Sequence, residues 1–287
     1  FLETVTLSEK LSSLGTSVFQ NCSALSEIIV PEENKVYEVG EDGSLYSAGV
    51  LVIYVDNPDS GSTYTIPSYV TEIGAYAFDG RNFETLIIPN TVRTIGNYAF
   101  RNCLNLKKVI FEEGTENLTV GTNTFYGCTA LESVQFPTQL VSLGSSTFYG
   151  CTALTEVVFP DDCGITEIPS SAFRGCSSLT NIRIPVNVTE IGSTAFRETA
   201  LTEVVFAEGN QLQKIGGSIF WGTSTLTSFV IPETVKEIGA NAFQGTGITS
   251  IVIPEGVTVI NGYTFYECFD LETITFLGNI TKVGYFA

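Results

Sequence analysis

The chain has 287 residues, with 31 acidic side chains against 13 basic ones and a formal net charge of −18. Such an acidic chain repels phosphate backbones and anionic lipid headgroups, which argues against nucleic acids and membrane surfaces as ligands. Histidine is absent, so Ser-His and Cys-His nucleophile pairs and histidine metal sites are excluded. The longest apolar runs have the length of a strand, and we expect no membrane insertion.

A phenylalanine recurs along the chain, typically after alanine and three residues before cysteine. From Phe78 onward, successive repeat phenylalanines are separated by 22, 25, 23, 25, 23, 24, 23 and 22 residues. A period of about 23 residues lies within the range of leucine-rich repeats. The repeat phenylalanines are Phe19, Phe78, Phe100, Phe125, Phe148, Phe173, Phe196, Phe220, Phe243 and Phe265.

Each repeat unit begins with the phrase L-x-x-V-x-I, in which alternate residues point to opposite faces of a short strand. Proline follows, and it ends strand pairing because it has no N–H to donate. The chain then buries Val, Ile, Ala and Phe in turn. We therefore predict a mostly β leucine-rich-repeat solenoid with one parallel strand per rung, turns or short 3-10 segments on the convex side, and little α-helix. About ten rungs would form a rod or arc about 50 Å long.

The unit IGxxAFxxCxxLxxVxIPxxVxxIG resembles the BspA-like leucine-rich repeats of bacterial surface and secreted proteins, which some parasitic protists also have. The likeness covers nearly the whole chain. It implies an extracellular or cell-surface location and a role in binding host proteins or other cells.

We expect residues 1–287 to form a single solenoid cut from a longer protein. The chain opens inside a rung, where Leu2, Val5 and Leu7 already follow the strand phrase, and it lacks methionine. It stops at Ala287 after the next turn phrase has begun. Because an open solenoid end exposes core and unpaired strand, we expect further rungs or a cap, and weak end-to-end self-association of this segment.

Between Phe19 and Phe78 the chain has about 36 residues more than one period. Two turn clusters flank an apolar run in this excess, which predicts a β-hairpin insertion at about residues 32–63. The insertion is either a decoration of the scaffold or a binding finger. Its aspartates lack the spacing of a calcium loop.

Six cysteines occupy one repeat slot, three residues after the phenylalanine, and threonine fills that slot in other rungs. Threonine replaces a small buried thiol but not a zinc ligand or half of a disulfide, so we expect buried, reduced core side chains. The slot holds Cys22, Cys103, Cys128, Cys151, Cys176 and Cys268, with Thr199, Thr223 and Thr246 as replacements. Cys163 breaks the pattern and is interpreted as an exposed thiol.

A glycine follows the repeat isoleucine in most rungs, for example Gly96, Gly192 and Gly216. Asn261 in this slot suits a positive φ, whereas Pro169 contradicts one. The glycine therefore serves either a left-handed turn or close packing between rungs, and the sequence leaves both open.

Two rows of outward-pointing side chains are candidate ligand surfaces. The first is an apolar stripe with an acidic rim along the strands, typical of a protein-binding surface but also of ordinary strand-forming residues. The second consists of aromatic residues directly after the repeat phenylalanine, interleaved with Arg101, Arg174 and Arg197. These aromatics suit protein or glycan contacts, or they shield the edge of the coil. The candidate residues are Ile110, Val158, Arg183, Val205, Val230 and Val252 on the strands, and Tyr126, Tyr149, Trp221 and Tyr266 in the second row.

No sequence motif of a hydrolase elbow, a phosphate-binding loop or a dinucleotide site is present, so we expect no enzyme and no cofactor. The most economical interpretation is a protein-recognition or adhesion module of a secreted or surface protein, with a protein as partner and a glycan as the alternative ligand. A passive spacer and a glycan-targeting accessory module of a larger enzyme are the competing interpretations.

Overall fold

The computed structural model describes residues 2–20, 22, 24–56, 62–114 and 116–287. In these residues the chain is a parallel β-solenoid without helix, which confirms the predicted leucine-rich-repeat fold class. No helix in the described ranges is long and apolar enough to cross a bilayer. Most rungs contribute two short strands rather than the one predicted, joined by turns.

The first strand of each rung belongs to what we call the strand face. Its longest continuous sheet has five parallel strands, from Thr63–Thr65 at one edge to Glu156–Val158 at the other. The strands are β1 (Thr4–Thr6), β2 (Glu27–Ile29), β6 (Thr63–Thr65), β8 (Thr85–Ile88), β10 (Lys108–Phe111), β12 (Ser133–Gln135), β14 (Glu156–Val158), β16 (Asn181–Ile184), β18 (Glu203–Phe206), β21 (Ser250–Ile253) and β23 (Thr273–Phe276).

The second strand of each rung is often only two residues long and belongs to the back face. Its strands are β5 (Val50–Ile53), β7 (Glu72–Ile73), β9 (Thr94–Ile95), β11 (Leu118–Val120), β13 (Leu140–Leu143), β15 (Glu167–Ile168), β17 (Glu190–Ile191), β19 (Lys214–Ile215), β20 (Glu237–Ile238), β22 (Val259–Ile260) and β24 (Lys282–Val283). The third side of the rung is a loop around the repeat phenylalanine, which we call the loop edge.

The repeat phenylalanines form a continuous stack through the core. From Tyr54 to Phe265, neighbouring ring centroids lie 4.8–5.9 Å apart with interplanar angles of 29° or less. The rings from Phe78 to Phe243 are fully buried. Because the faces of each ring pack on the rings of the rungs above and below, the core is a one-dimensional stack and not a globular cluster.

Tyr54 occupies a phenylalanine position that the spacing of phenylalanines does not reveal. Its ring stacks on Phe78 at 4.8 Å, and its N–H donates to the carbonyl of Ala77 at 2.9 Å. The excess length after Phe19 therefore contains one whole rung as well as inserted residues.

The inserted residues form an antiparallel meander joined to the back face. Strands β3 (Glu38–Val39), β4 (Leu45–Ser47) and β5 pair in sequence, and β5 continues in parallel to β7. The turn between β4 and β5 has a positive φ at Ala48 (48°) and Gly49 (82°), as a tight hairpin turn requires. The second predicted turn cluster falls largely on residues 57–61, outside the described residues.

Close packing explains the glycine that follows the repeat isoleucine. None of these glycines has a positive φ, and a Cβ added to Gly216 would lie 2.5 Å from the carbonyl carbon of Gly192 in the preceding rung. The N–H of Gly216 donates to the carbonyl of Ile191 at 2.8 Å. Pro169 has no N–H for this ladder, and the back-face sheet is interrupted between β13 and β15.

Five cysteines of the repeat slot, Cys103, Cys128, Cys151, Cys176 and Cys268, donate their thiols to the carbonyl of the phenylalanine one rung earlier. The Sγ–O distance is 3.1 Å for Cys151 and Phe125. Thr223 makes the equivalent bond to Phe196 at 3.0 Å, whereas Thr199 and Thr246 donate to the phenylalanine carbonyl of their own rung at 2.9 and 2.8 Å. The cysteines from Cys103 to Cys176 are fully buried, whereas Cys22 and Cys268 in the outermost cysteine rungs are only half-buried. All seven cysteines have free thiols in the structure.

The interpretation of Cys163 as an exposed thiol is wrong, because its side chain is completely buried. It occupies the apolar position of the phrase Pro-x-x-Val that follows each strand. Its N–H donates to the carbonyl of Pro160 at 3.2 Å, as that of Val92 donates to Pro89 at 3.1 Å. Counting from the proline instead of the phenylalanine reveals this position.

Replacing a thiol of the repeat slot should be tolerated. We expect Cys151→Thr and Cys151→Ala to lower the free energy of unfolding by only about 1–2 kcal/mol, because the slot loses one weak hydrogen bond and little volume. Urea unfolding measures the difference. A loss above about 4 kcal/mol would indicate a bonded or metal-ligating thiol instead.

The buried thiols should also make stability depend on alkaline pH. Burial raises the pKa of the Cys103, Cys128, Cys151 and Cys176 thiols. The unfolded chain, with thiol pKa values near 8.5, therefore loses these protons first. The contribution of these thiols to the free energy of unfolding is therefore constant below about pH 8.5. Above that pH it falls, by up to about 1.4 kcal/mol per pH unit for each thiol. Urea titrations from pH 7 to 10 should show a shallower fall for Cys151→Ala than for the parent chain; equal slopes would contradict the prediction.

Candidate functional site: the strand face

The outward positions of the strand face form one aligned row. Strand pairing places Ile110 between Ile87 and Gln135, Arg183 beside Val205, and Val252 beside Thr275. Alternation along each strand turns these side chains away from the core. The exposed fraction is 80% for Val230, 49% for Val252 and 37% for Val158, while Ile110 and Val205 are half-buried. Five of the six residues predicted from sequence lie in strand-face strands, and the sixth, Val230, lines a hollow of this face together with Val252.

Two hollows interrupt this surface. The central hollow has a mixed charge, because Lys108 stands in it with Glu113 and Glu156. Its apolar lining includes Ile110, Phe111, Phe136, Pro137 and Val158. The C-terminal hollow is lined by Phe229, Val230, Ile231, Glu233, Val252, Pro254 and Leu277, with Glu233 as its charged residue.

Arg183 is an ion-paired member of the row. Its Nε and Nη2 atoms donate to the two carboxylate oxygens of Asp161 at 2.6 and 2.7 Å. These hydrogen bonds from Arg183 lower the pKa of Asp161. Lys107 and Glu84 form a further pair on the same face at 3.1 Å. Since both groups are exposed, these pairs contribute little to stability but set the local charge.

On the loop edge, the predicted aromatic row is a ladder of stacked planar groups. Tyr126 and Tyr149 stack with ring centroids 4.8 Å apart and an interplanar angle of 8°. The Arg174 guanidinium lies 5.3 Å from the Tyr149 ring centre, and that of Arg197 lies 3.9 Å from the Trp221 ring centre.

These contacts cover the ring faces that a sugar would use. The Tyr149 ring contacts Tyr126 of the preceding rung and Arg174 of the following rung, and Arg197 covers Trp221. Tyr266 is 38% exposed and meets Tyr263 edge to face at 5.3 Å. The loop edge thus presents ring edges, which is typical of cation–π ladders that hold neighbouring loops together. The strand face is the better candidate for ligand binding.

Sequence reasoning missed part of the site. Leu277 and Pro254 complete the C-terminal hollow, although they lie in turns after the strands and not on the outward slot. Tyr76 and Tyr98 extend the loop-edge ladder, with centroids 4.8 Å apart, from a slot two residues before the phenylalanine. That slot has a positive φ, 60° for Tyr76, a conformation that the sequence pattern does not mark.

The chain matches a known repeat family over most of its length. The profile described as the BspA type leucine rich repeat region, in 6 copies, matches residues 1–42, 57–164, 115–211 and 209–287. These ranges cover most of the chain. The chain belongs to the BspA-type leucine-rich-repeat family.

Solved structures of bacterial leucine-rich-repeat proteins share the fold. A Bacteroides ovatus protein is 22% identical, with a TM-score of 0.52 over 88% of this chain and 77% of its own. The T. pallidum leucine-rich-repeat protein is 26% identical, with a TM-score of 0.53 over 68% of this chain and 89% of its own. A leucine-rich cell surface protein of Faecalibacterium prausnitzii is 21% identical, with a TM-score of 0.50 over 96% and 79%. No curated protein sequence matches this BspA-type chain significantly.

Proposed function

We propose that the chain is a non-catalytic recognition module that binds a protein through its strand face. The supporting observation is the row of exposed apolar side chains at Val158, Val230 and Val252 along the strand face. Apolar patches rimmed by polar groups are typical of protein interfaces, because they bury water-exposed apolar area on binding. Loops of a solenoid vary, whereas its strands hold their side chains at fixed spacing.

A cell-surface or secreted location fits this role. The F. prausnitzii protein that shares the fold is described as a cell surface protein. The net charge of −18 favours protein partners with basic patches over nucleic acids or anionic membranes. Adhesion to another cell would then follow from the display of this surface outside the cell.

The two competing functions make different demands on the surface. A passive spacer needs no exposed apolar row, and a glycan-targeting module needs open aromatic faces. Stacking and arginine contacts cover much of the faces of Tyr149 and Trp221, so the glycan alternative has less support.

Adhesion of beads coated with the chain to cultured epithelial cells tests the proposal. We expect the beads to adhere, and adhesion to fall after trypsin treatment of the cells but not after periodate oxidation of their glycans. The variant Val158→Glu, Val230→Glu, Val252→Glu should adhere at least tenfold less.

The matched control carries the same added charge on the back face, with Thr119→Glu, Ser142→Glu and Thr258→Glu. It should adhere like the parent chain. Absence of adhesion by the parent would favour the spacer, and loss after periodate treatment would favour the glycan module.

A further inference from the structure

The C-terminal hollow differs from the rest of the strand face in its backbone as well as its side chains. Residues 226–231 form no strand, and the strand face is interrupted between β18 and β21. Within the part of the chain that the structure describes, the N–H and C=O groups of Ser228 and Val230 have no hydrogen-bond partner. This rung therefore has unpaired backbone N–H and C=O groups beside an apolar hollow.

The side chains of this hollow form a contiguous apolar surface. Val230 is 80% exposed, Leu277 59% and Val252 49%, and Pro254 and Phe229 complete the lining. Contact between an apolar surface of this kind and water is unfavourable. When an apolar side chain covers the surface, both are removed from water and the free energy falls. The occupant should therefore contain at least one apolar side chain.

The charge around the hollow has a single sign. From residue 201 onward, the exposed carboxylates in the strand-face strands and the turns next to them belong to Glu203, Glu208, Glu233, Glu255, Asp270 and Glu272. Among the described residues, none of these carboxylates has an ion-pair partner. The basic residues Lys214, Lys236 and Lys282 of this region lie in or directly before the back-face strands β19, β20 and β24.

This distribution contrasts with the central hollow, whose lining includes Lys108 as well as Glu113 and Glu156. A ligand at the central hollow meets both signs of charge, whereas one at the C-terminal hollow meets only carboxylates. Unpaired carboxylates around an apolar patch attract cations from a distance and repel acidic chains. The occupant should therefore carry lysine or arginine next to its apolar side chain.

We infer that the C-terminal hollow binds an extended segment of a partner protein in which an apolar side chain is flanked by lysine or arginine. The apolar side chain contacts Val230, Val252 and Leu277, and the flanking cations meet Glu233 and Glu255. The free backbone groups of Ser228 and Val230 bind polar atoms of the segment. This inference rests on the proposed recognition function and names the class of its partner.

Panning a phage-displayed library of random dodecapeptides against the chain tests the inference, with Val230→Glu as the counter-selection. We expect the enriched peptides to share an apolar centre with lysine or arginine on either side. Enrichment of acidic or uncharged peptides, or enrichment that is equal on Val230→Glu, would overturn it.

Fluorescence anisotropy of the most enriched peptide, made synthetically, measures how much each residue of the hollow contributes to the binding affinity. We expect at least a tenfold loss of affinity for Val230→Glu and for Val252→Ser, and several-fold for Glu233→Gln with Glu255→Gln. The back-face control Thr119→Glu should bind unchanged, and added salt should weaken binding to the parent. Because Val230 and Val252 are exposed, Val230→Glu and Val252→Ser should keep the parent's circular dichroism spectrum. Unchanged peptide affinity in both of these variants would overturn the inference.

Cell adhesion separates this inference from the proposed function. If beads carrying Val230→Glu and Val252→Ser still adhere to cells in a trypsin-sensitive way, the recognition function stands and the C-terminal hollow is not its site. If the parent beads do not adhere at all, the recognition function itself fails.

Discussion

Phe173→Ala should lower the free energy of unfolding by about 3–5 kcal/mol, the cost of removing a large ring from a packed interior. Phe173 is fully buried and stacks between Phe148 and Phe196, with centroids 5.4 and 5.5 Å away. Phe159 meets its edge at 6.3 Å. Because the core is a single stack, no other element can fill the cavity, and both neighbouring rungs lose a packing surface. Urea unfolding gives the loss in stability.

Hydrogen exchange locates the effect of this substitution. Amides of the rungs around Phe148 and Phe196 should exchange faster, while those around Tyr54 should change less. Phe269→Ala is the matched control, since this ring is 90% exposed and its removal should change stability by less than about 0.5 kcal/mol. Equal losses for the two variants would show that the ring stack does not carry the stability.

The sequence predicts the solenoid because its signal repeats. A single L-x-x-V-x-I phrase is compatible with many folds, but its recurrence at a fixed distance from a phenylalanine leaves only a stacked coil that buries both. The same argument predicts the cysteine slot, since Thr223 and Cys151 both donate to a phenylalanine carbonyl of the preceding rung. Periodic features are thus read from sequence alone.

Features that depend on contact between rungs are not predicted. The back-face strands are often only two residues long, too short for a periodic pattern. In most rungs they are held by a hydrogen bond from the slot glycine N–H to a carbonyl of the rung before it. Tyr54 escapes a search for phenylalanine, although its ring continues the stack. Cys163 is misplaced when positions are counted from the phenylalanine.

The candidate site is predicted only in part, for the same reason. Alternation predicts that Val158, Val230 and Val252 point outward, and the structure places them there. The 80% exposure of Val230 follows from the interrupted pairing of residues 226–231, which no local sequence signal marks. The covering of Trp221 by Arg197 depends likewise on how adjacent loops stack.

The glycine of the repeat should be the position most sensitive to a small substitution. In Gly216→Ala, the new Cβ would lie 2.5 Å from Ser193 N and 2.7 Å from the Ile191 carbonyl oxygen. Both atoms belong to the backbone of the preceding rung, so neither can move aside without breaking the 2.8 Å bond from Gly216 N–H to Ile191. We expect a loss of about 3 kcal/mol or more, at the upper end of the cost of overpacking.

Gly222→Ala in the same rung tests whether this cost comes from packing between rungs or from backbone conformation. Gly222 has a φ of 76°, and its nearest neighbour to an added Cβ is Glu198 Cγ at 3.7 Å. Asn102, Glu198 and Glu267 occupy the equivalent slot with φ between 56° and 60°, so this position accepts a side chain at a modest conformational cost. We expect a loss of about 1 kcal/mol, the cost of a left-handed residue with a Cβ. Urea unfolding of both variants decides the matter: a larger loss for Gly222→Ala than for Gly216→Ala would mean that backbone conformation, and not the close approach of successive rungs, sets the requirement for glycine in this solenoid.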